Sequence, residues 1–293
     1  MLVVAGRKER QINLFYGYKM TDFDDLEIYP VRMDDVNDAE RELPEVLPKG
    51  SYNMMVVGSS MTGKSNFISN LVCRPNLLGA RQNGDKIEKH FEDIIIISGT
   101  LGQDKSLKPV QEIASMTYDS YSNDTVRRIL EFQKMRKEMG NNDKCLLIMD
   151  DIITQCKPTD YIWKLFTNSR HYNLSIWCCL QAIRGTVSPI ARANTHVWCC
   201  YRLHSEKEKT KLFEDLAFLD DEKEVKAMYD HCIREPYNFM YVDSRRLMVH
   251  HNLTEKIWTR YDDNGHYNPS FTQMSKKAIE PSDDEAIENV ENK

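Results

Sequence analysis

Gly58-Ser59-Ser60-Met61-Thr62-Gly63-Lys64-Ser65 sets two glycines, a lysine and a hydroxyl at fixed offsets, after a short apolar run and before a stretch with helical spacing. Glycines let a backbone wrap closely round a polyanion. Successive N–H groups and the positive end of the following helix satisfy its charge. The pattern G-x-x-x-x-G-K-[ST] in that context is the mark of a phosphate-binding loop. Gly58 through Asn66 are therefore expected to cradle the phosphates of a nucleotide, ATP. Lys64 would reach the β- and γ-phosphates, and the Ser65 hydroxyl would ligate Mg²⁺.

A second group of residues matches that loop. Cys145-Leu-Leu-Ile-Met-Asp150-Asp151 is an apolar run ending in two carboxylates. Asp150 is expected to hold Mg²⁺ through its water shell, and Asp151, pointing elsewhere, to orient or deprotonate an attacking water. An acidic pair alone also suits a solvated turn; beside a phosphate loop it suits hydrolysis. Gln181, at the end of the apolar run 175–180, is positioned to contact the γ-phosphate or that water, a surface amide being the alternative. Arg170, nineteen residues beyond Asp151, is the first candidate for an arginine that stabilises phosphoryl charge in a neighbouring subunit, with Arg192 and Arg184 behind it. An ordinary ion pair is the alternative for each. The expected catalytic set is Lys64, Asp151, Gln181 and Arg170, with Ser65 and Asp150 on the metal.

These groups need strands to end beneath them and a helix to begin at Lys64. Apolar runs at 53–57, 93–98, 145–149, 175–180, 195–202 and 239–242 read as strands buried on both faces. Stretches at 64–73, 122–139, 158–169 and 204–216 carry helical spacing. Alternation of the two predicts an α/β fold, a mostly parallel sheet sandwiched by helices. Residues 247–250 are expected to close a small edge hairpin with 239–242. The run 93–98 precedes the Asp150 run in the chain, which suggests an extra strand inserted between the loop strand and the Asp150 strand. Separately, the phosphate loop and Asp150 are expected to face each other across adjoining strands of a single sheet.

The 293 residues divide into an acidic N-terminal arm (1–48), a phosphate-loop domain (49–260) and a C-terminal extension with a disordered acidic tail from Ser275 (261–293). Ten acidic and two basic side chains fall in residues 21–48, and six acidic residues and three lysines in 275–293, so the net charge of -6 is carried at the edges. The interior retains a basic excess that would suit a local basic lining, although acidic flanks also simply favour solubility. The longest aliphatic run, 94–97, is far short of the ~18 residues a membrane span needs, and no leader opens the chain. Eight cysteines without C-x-x-C spacing read as reduced, mostly buried thiols of a cytosolic protein.

Beyond these readings the chain resembles the genome-packaging ATPases of large nucleocytoplasmic DNA viruses, within the FtsK/HerA superfamily of P-loop ATPases. The resemblance runs from about residue 43 to 253. It rests on the loop ending Gly63-Lys64-Ser65, on Leu147-Ile-Met-Asp150-Asp151, on Asn168-Ser-Arg170-His-Tyr-Asn-Leu-Ser175 leading to Gln181, and on Ile190-Ala-Arg192-Ala-Asn194. It implies a RecA-like (ASCE) fold, a homo-oligomeric ring around double-stranded DNA gripped without regard to sequence, and ATP-driven delivery of a viral genome to a capsid or portal-vertex protein. The setting it implies is host cytoplasm, a viral factory or the virion. Loops carrying Lys105 and Lys108, or residues 184–192, are candidates to touch DNA phosphates. Two other classes fit a phosphate loop: a kinase acting on a small acceptor, and a nucleotide-gated switch that only binds.

Overall fold

A computed structural model describes residues 43–152 and 155–277. Most of the N-terminal arm and the tail beyond residue 277 lie outside them.

In chain order the elements are β1 (Asn53–Val57), α1 (Lys64–Cys73), β2 (Arg81–Asn83), β3 (Lys86–Glu88), β4 (Asp93–Ser98), α2 (Lys108–Ile113), β5 (Met116–Tyr118) and α3 (Asn123–Glu138). They continue with β6 (Cys145–Asp150), α4 (Tyr161–Leu165), β7 (Leu174–Leu180), α5 (Pro189–Ala193), β8 (Val197–Cys200), α6 (Glu206–Leu216), α7 (Glu222–Cys232), β9 (Met240–Asp243), β10 (Met248–His251), β11 (Glu255–Thr259) and α8 (Phe271–Lys277).

Nine strands form one sheet in the order β11-β10-β9-β8-β1-β7-β6-β4-β5. From β8 to β5 neighbouring strands are parallel, and β9, β10 and β11 add an antiparallel flank. The strand between the phosphate-loop strand and the Asp150 strand is thus β7, not the run 93–98, which lies on the far side of β6. Lys64 and Asp150 consequently do not sit over adjoining strands. Chain order misleads here because a parallel crossover is free to return beyond its neighbour.

The central strands are apolar on both faces because each face has its own core. Met55, Val57, Leu147, Met149, Ile176 and Cys178 join one cluster, packed by the buried sides of α3, α4, α6 and α7. Met54, Val56, Leu146, Ile148, Trp177 and Cys179 alternate into the other, against Phe67, Ile68, Leu71 and Val72 of α1 and Leu107 and Val110 beside and on α2. Period-two alternation sorts neighbouring residues to opposite layers. Each such fully buried side chain stabilises the layers by roughly 1.5–3 kcal/mol.

At the lower rim, where the parallel strands begin, β1 opens on a buried polar knot. The Asn53 backbone N–H donates to His196 Nδ1 at 2.9 Å, and its side-chain amide donates to the Phe166 and Asn194 carbonyls at 2.8 and 3.2 Å. Ser169 Oγ donates to Asn53 Oδ1 at 3.0 Å. This knot also explains a shorter helix than the spacing over 158–169 suggests. Asn53 takes the Phe166 carbonyl and Thr167 Oγ1 donates to the Lys164 carbonyl, so α4 stops after five residues and a 3₁₀ turn, Ser169–Tyr172, leads into β7. The strand expected over 195–202 is shorter, β8 starting only at Val197, because the Thr195 backbone N–H turns back to the Arg192 carbonyl and its Oγ1 to the Ala191 carbonyl, both in α5.

The hairpin β9–β10 forms, but β11 pairs with β10 and takes the edge. Ser275 and the two lysines after it complete α8 rather than begin a tail. That helix docks on α7, the Thr272 backbone N–H donating to the Glu224 carboxylate at 2.9 Å. The described end of the arm is packed as well: Val46 and Leu47 are buried, and Tyr241 Oη donates to the Val46 carbonyl at 2.9 Å. All eight cysteines are free thiols, seven of them buried. No helix among the described residues is long and apolar enough to cross a membrane.

Candidate functional site

The long helices treat their N-termini in two ways. Ser122, Ser205 and Asp221 cap α3, α6 and α7 with side-chain oxygens that accept first-turn N–H groups. In contrast α1 begins at Gly63, with no side-chain cap and no acid in its first turn. Its first N–H groups are therefore left for another acceptor, at the end of the helix where the dipole is positive.

The loop that delivers α1 is fixed from both sides. Gly58 N–H donates to the Leu180 carbonyl of β7 and Ser59 N–H to the Arg202 carbonyl beyond β8, each at 3.0 Å. A Cβ on Gly58 would lie 2.4 Å from Tyr201 Cβ, so only glycine lets the chain turn against that side chain. Gly63 has φ +100°, a left-handed conformation at which a side chain is strained. Met61 adopts φ +61° with its side chain 92% exposed. Within the loop, Lys64 Nζ donates to the carbonyls of Gly58 and Ser59 at 2.7 and 2.8 Å. Burial lowers the lysine pKa from its ordinary value, with Cys179, Asp150 and Asp151 opposing the shift.

Asp150 ends β6 opposite Cys179 of β7 and is only 4% exposed. Burial pushes its carboxyl up to about 6, with the Cys179 thiol bonding to it and lowering it, and Asp104 and Asp151 raising it further. The next residue would ordinarily turn to the other face of the sheet. Asp151 has φ +49°, which breaks the alternation, and both carboxylates line the same cavity. Gln181 Nε2 donates to Asp151 Oδ1 at 3.0 Å, so the inserted strand holds the second carboxylate directly.

The cavity measures about 600 Å³ and is lined by loop residues 60–66, by Asp150, Asp151, Cys179 and Gln181, and by Thr100, Gln103, Asp104 and Ser106 beyond β4. Lys64 and Asp150 lie on one side of the sheet and face one space. Gly58 and Ser59 lie beneath the loop, outside the lining. Thr100, Gln103, Asp104, Ser106 and Tyr237 carry no local sequence signal for this place; only the sheet order brings them to it. Among the described residues no three His, Cys, Asp or Glu side chains are gathered as a metal cage. Mg²⁺ at a phosphate needs none, since it keeps several waters and takes one or two protein oxygens besides the phosphates. Ser65 and the buried Asp150 carboxyl supply that kind of donor set.

The arginines fall elsewhere. Arg170 is exposed in the turn before β7, at the lower rim, a full strand away from the loop of its own chain. Arg192 is engaged internally: Nε pairs with Asp215 at 2.9 Å and Nη1 donates to the Val187 carbonyl at 2.7 Å, with both ion-pair partners largely buried. That pairing makes it the structural arginine of the three. Arg184 is exposed after β7, where its backbone N–H and that of Ile183 donate to Glu208. Lys105 and Lys108 are exposed beside the cavity's β4 side.

No family model and no curated protein matches the chain. Among solved structures, it is similar to the genome packaging NTPase B204 of Sulfolobus turreted icosahedral virus 2 in complex with AMP, at 17% identity over 68% of this chain and 95% of that one, with a TM-score of 0.48. It is similar to the DNA-packaging ATPase B204 of Sulfolobus turreted icosahedral virus at 14% identity over the same shares, TM-score 0.48. A third, EssC (ATPases 2 and 3) of Geobacillus thermodenitrificans, is 14% identical over 55% of this chain and 34% of that one, TM-score 0.39. What places this chain in the P-loop α/β class is its own sheet order and the loop between β1 and α1.

Proposed function

We propose that the chain is an ATP-hydrolysing motor that moves double-stranded DNA, packaging a viral genome into a capsid. The observation that carries the hydrolytic part is the convergence of an uncapped α1, Lys64, Asp150, Asp151 and Gln181 on one cavity. In this reading the N–H groups of residues 60–66 and the Lys64 ammonium bind the β- and γ-phosphates, exchanging the lysine's two loop carbonyls for phosphate oxygens. Mg²⁺, held by Ser65 and by Asp150 through water, would neutralise phosphate charge. Asp151 orients the attacking water and accepts its proton, while Gln181, bonded to that carboxylate, keeps it aimed.

The DNA, the ring and the capsid or portal partner come from the sequence resemblance around Arg170, Gln181 and Arg192. Arg170 supports a ring in one respect: exposed and remote from its own loop, it is free to meet the site of a neighbouring copy. Host cytoplasm or virion is the setting that goes with this function.

ATP turnover with and without long duplex DNA, alongside the mass of the assembly, tests the proposal. Stimulation by DNA in a ring-sized species is expected. Phosphoryl transfer to a nucleoside or nucleotide would replace the motor with a kinase, and slow turnover indifferent to DNA would leave a switch.

A further inference from the structure

By the sheet order, the cavity has the two carboxylates toward one side of the phosphate loop and Tyr237 toward the other. Asp150, Asp151 and Gln181 stand over β6 and β7, on one side of β1, and they fix where the reacting phosphate must lie. The nucleoside therefore leaves the loop in the other direction, over β8 and β9. There the lining ends on Tyr237, in the turn between α7 and β9.

Tyr237 is unusual in two independent ways. Its ring is 71% exposed, although a tyrosine ordinarily covers much of its ring against the protein. Its backbone is at φ +67°, a conformation costly for a bulky residue and held only when the surroundings impose it. The ring also lies against the loop: its Cδ1 would be 3.3 Å from a Cβ on Gly63, so the missing side chain there leaves it room. A second cavity of about 220 Å³, lined by Ser60, Thr62, Tyr201, Arg202, His204 and Glu235 among others, adjoins it, and Tyr237 lines both spaces. The following residues anchor the turn, Phe239 N–H donating to Asn252 Oδ1 at 3.1 Å as the chain enters β9.

We infer that Tyr237 is the platform on which the base of the bound nucleotide stacks, a positioning role that rests on the phosphate-site reading above. The ring is held out from the fold beside the phosphate loop, at the β9 side of the cavity, where it offers a purine an apolar face. Stacking of a base on an aromatic ring depends on area and not on donor pattern, so it fastens the nucleoside without demanding a particular base edge.

Binding of Mg·ATP and of inorganic tripolyphosphate to the full chain is measured for the unaltered protein, Tyr237→Ala and Tyr237→Phe. Tyr237→Ala is expected to weaken ATP by about tenfold or more and to leave tripolyphosphate unchanged, while Tyr237→Phe binds both as the unaltered protein does. Equal ATP affinity in Tyr237→Ala, equal weakening of both ligands, or loss of ATP in Tyr237→Phe would each overturn the platform while leaving the phosphate site intact. If the unaltered protein binds neither ligand, the phosphate site itself is wrong and the platform goes with it.

Discussion

At the lower rim of the sheet Asn53 is wholly buried, yet its side chain has a partner for each polar atom: two carbonyls for the amide and the Ser169 hydroxyl for the oxygen. At the upper rim, a few residues along the same strand and its neighbours, Lys64 has its charge depressed by burial and Asp150 has its carboxyl raised. Both rims bury polar groups. One closes them against each other within the chain; the other leaves α1 uncapped and two carboxylates facing a cavity. A polar group matched and closed off within the chain contributes to folding, whereas an uncapped helix N-terminus and carboxylates facing a cavity are poised for a ligand.

The contrast breaks most sharply at Lys64. Lys64→Ala is expected to abolish steady-state ATP hydrolysis, a loss of at least about 10²-fold, with the thermal midpoint nearly unmoved; unchanged turnover would reject the upper rim as the site. Asp151→Asn keeps the shape and its bond to Gln181 but lacks a base. It is expected to bind ATP as before in equilibrium titrations and to lose hydrolysis by roughly 10²–10⁴-fold. A variant that no longer binds nucleotide would make Asp151 structural.

The lower rim should respond in the opposite sense. Asn53→Ala strips three side-chain hydrogen bonds and strands buried partners, costing about 2–4 kcal/mol in denaturant unfolding, while the ATP affinity of the folded fraction stays constant. A dependence on pH is expected at the same rim. His196 accepts the Asn53 N–H through Nδ1, and burial, with Arg245 and Arg170 nearby, lowers its pKa from 6.5 to about 4. The unfolded chain therefore takes up the proton first as the medium acidifies. Stability from this group is complete above about 6.5 and is lost as pH falls toward 4. Unfolding midpoints across that window, compared with His196→Gln, measure it: a variant with the same slope as the unaltered protein would remove His196 as the source.

What was legible in the sequence follows the same division. The phosphate loop could be read because its chemistry is written in eight consecutive residues, and the central strands because burial on both faces leaves unbroken apolar runs. The position of β7 between β1 and β6 could not, since chain order says nothing of where a crossover returns. The strands β2 and β3, three residues each and largely exposed, carry no apolar alternation, and β5 is as short. The early end of α4 depended on Asn53, more than a hundred residues away, taking the Phe166 carbonyl. Simple alternation points Asp151 away from Asp150, and a left-handed backbone at that one residue reverses it. Tyr237 had no signal at all, because its exposure comes from a turn conformation and its neighbourhood from the sheet.

The inserted strand has a mechanical consequence. β7 is seven residues long and buried throughout, about 23 Å of backbone clamped between two parallel neighbours. Gln181 caps one end and the turn bearing Arg170 feeds the other. Packed interiors yield little, so β7 acts as a strut: a displacement at Gln181 would be felt at the opposite surface with no hinge to absorb it.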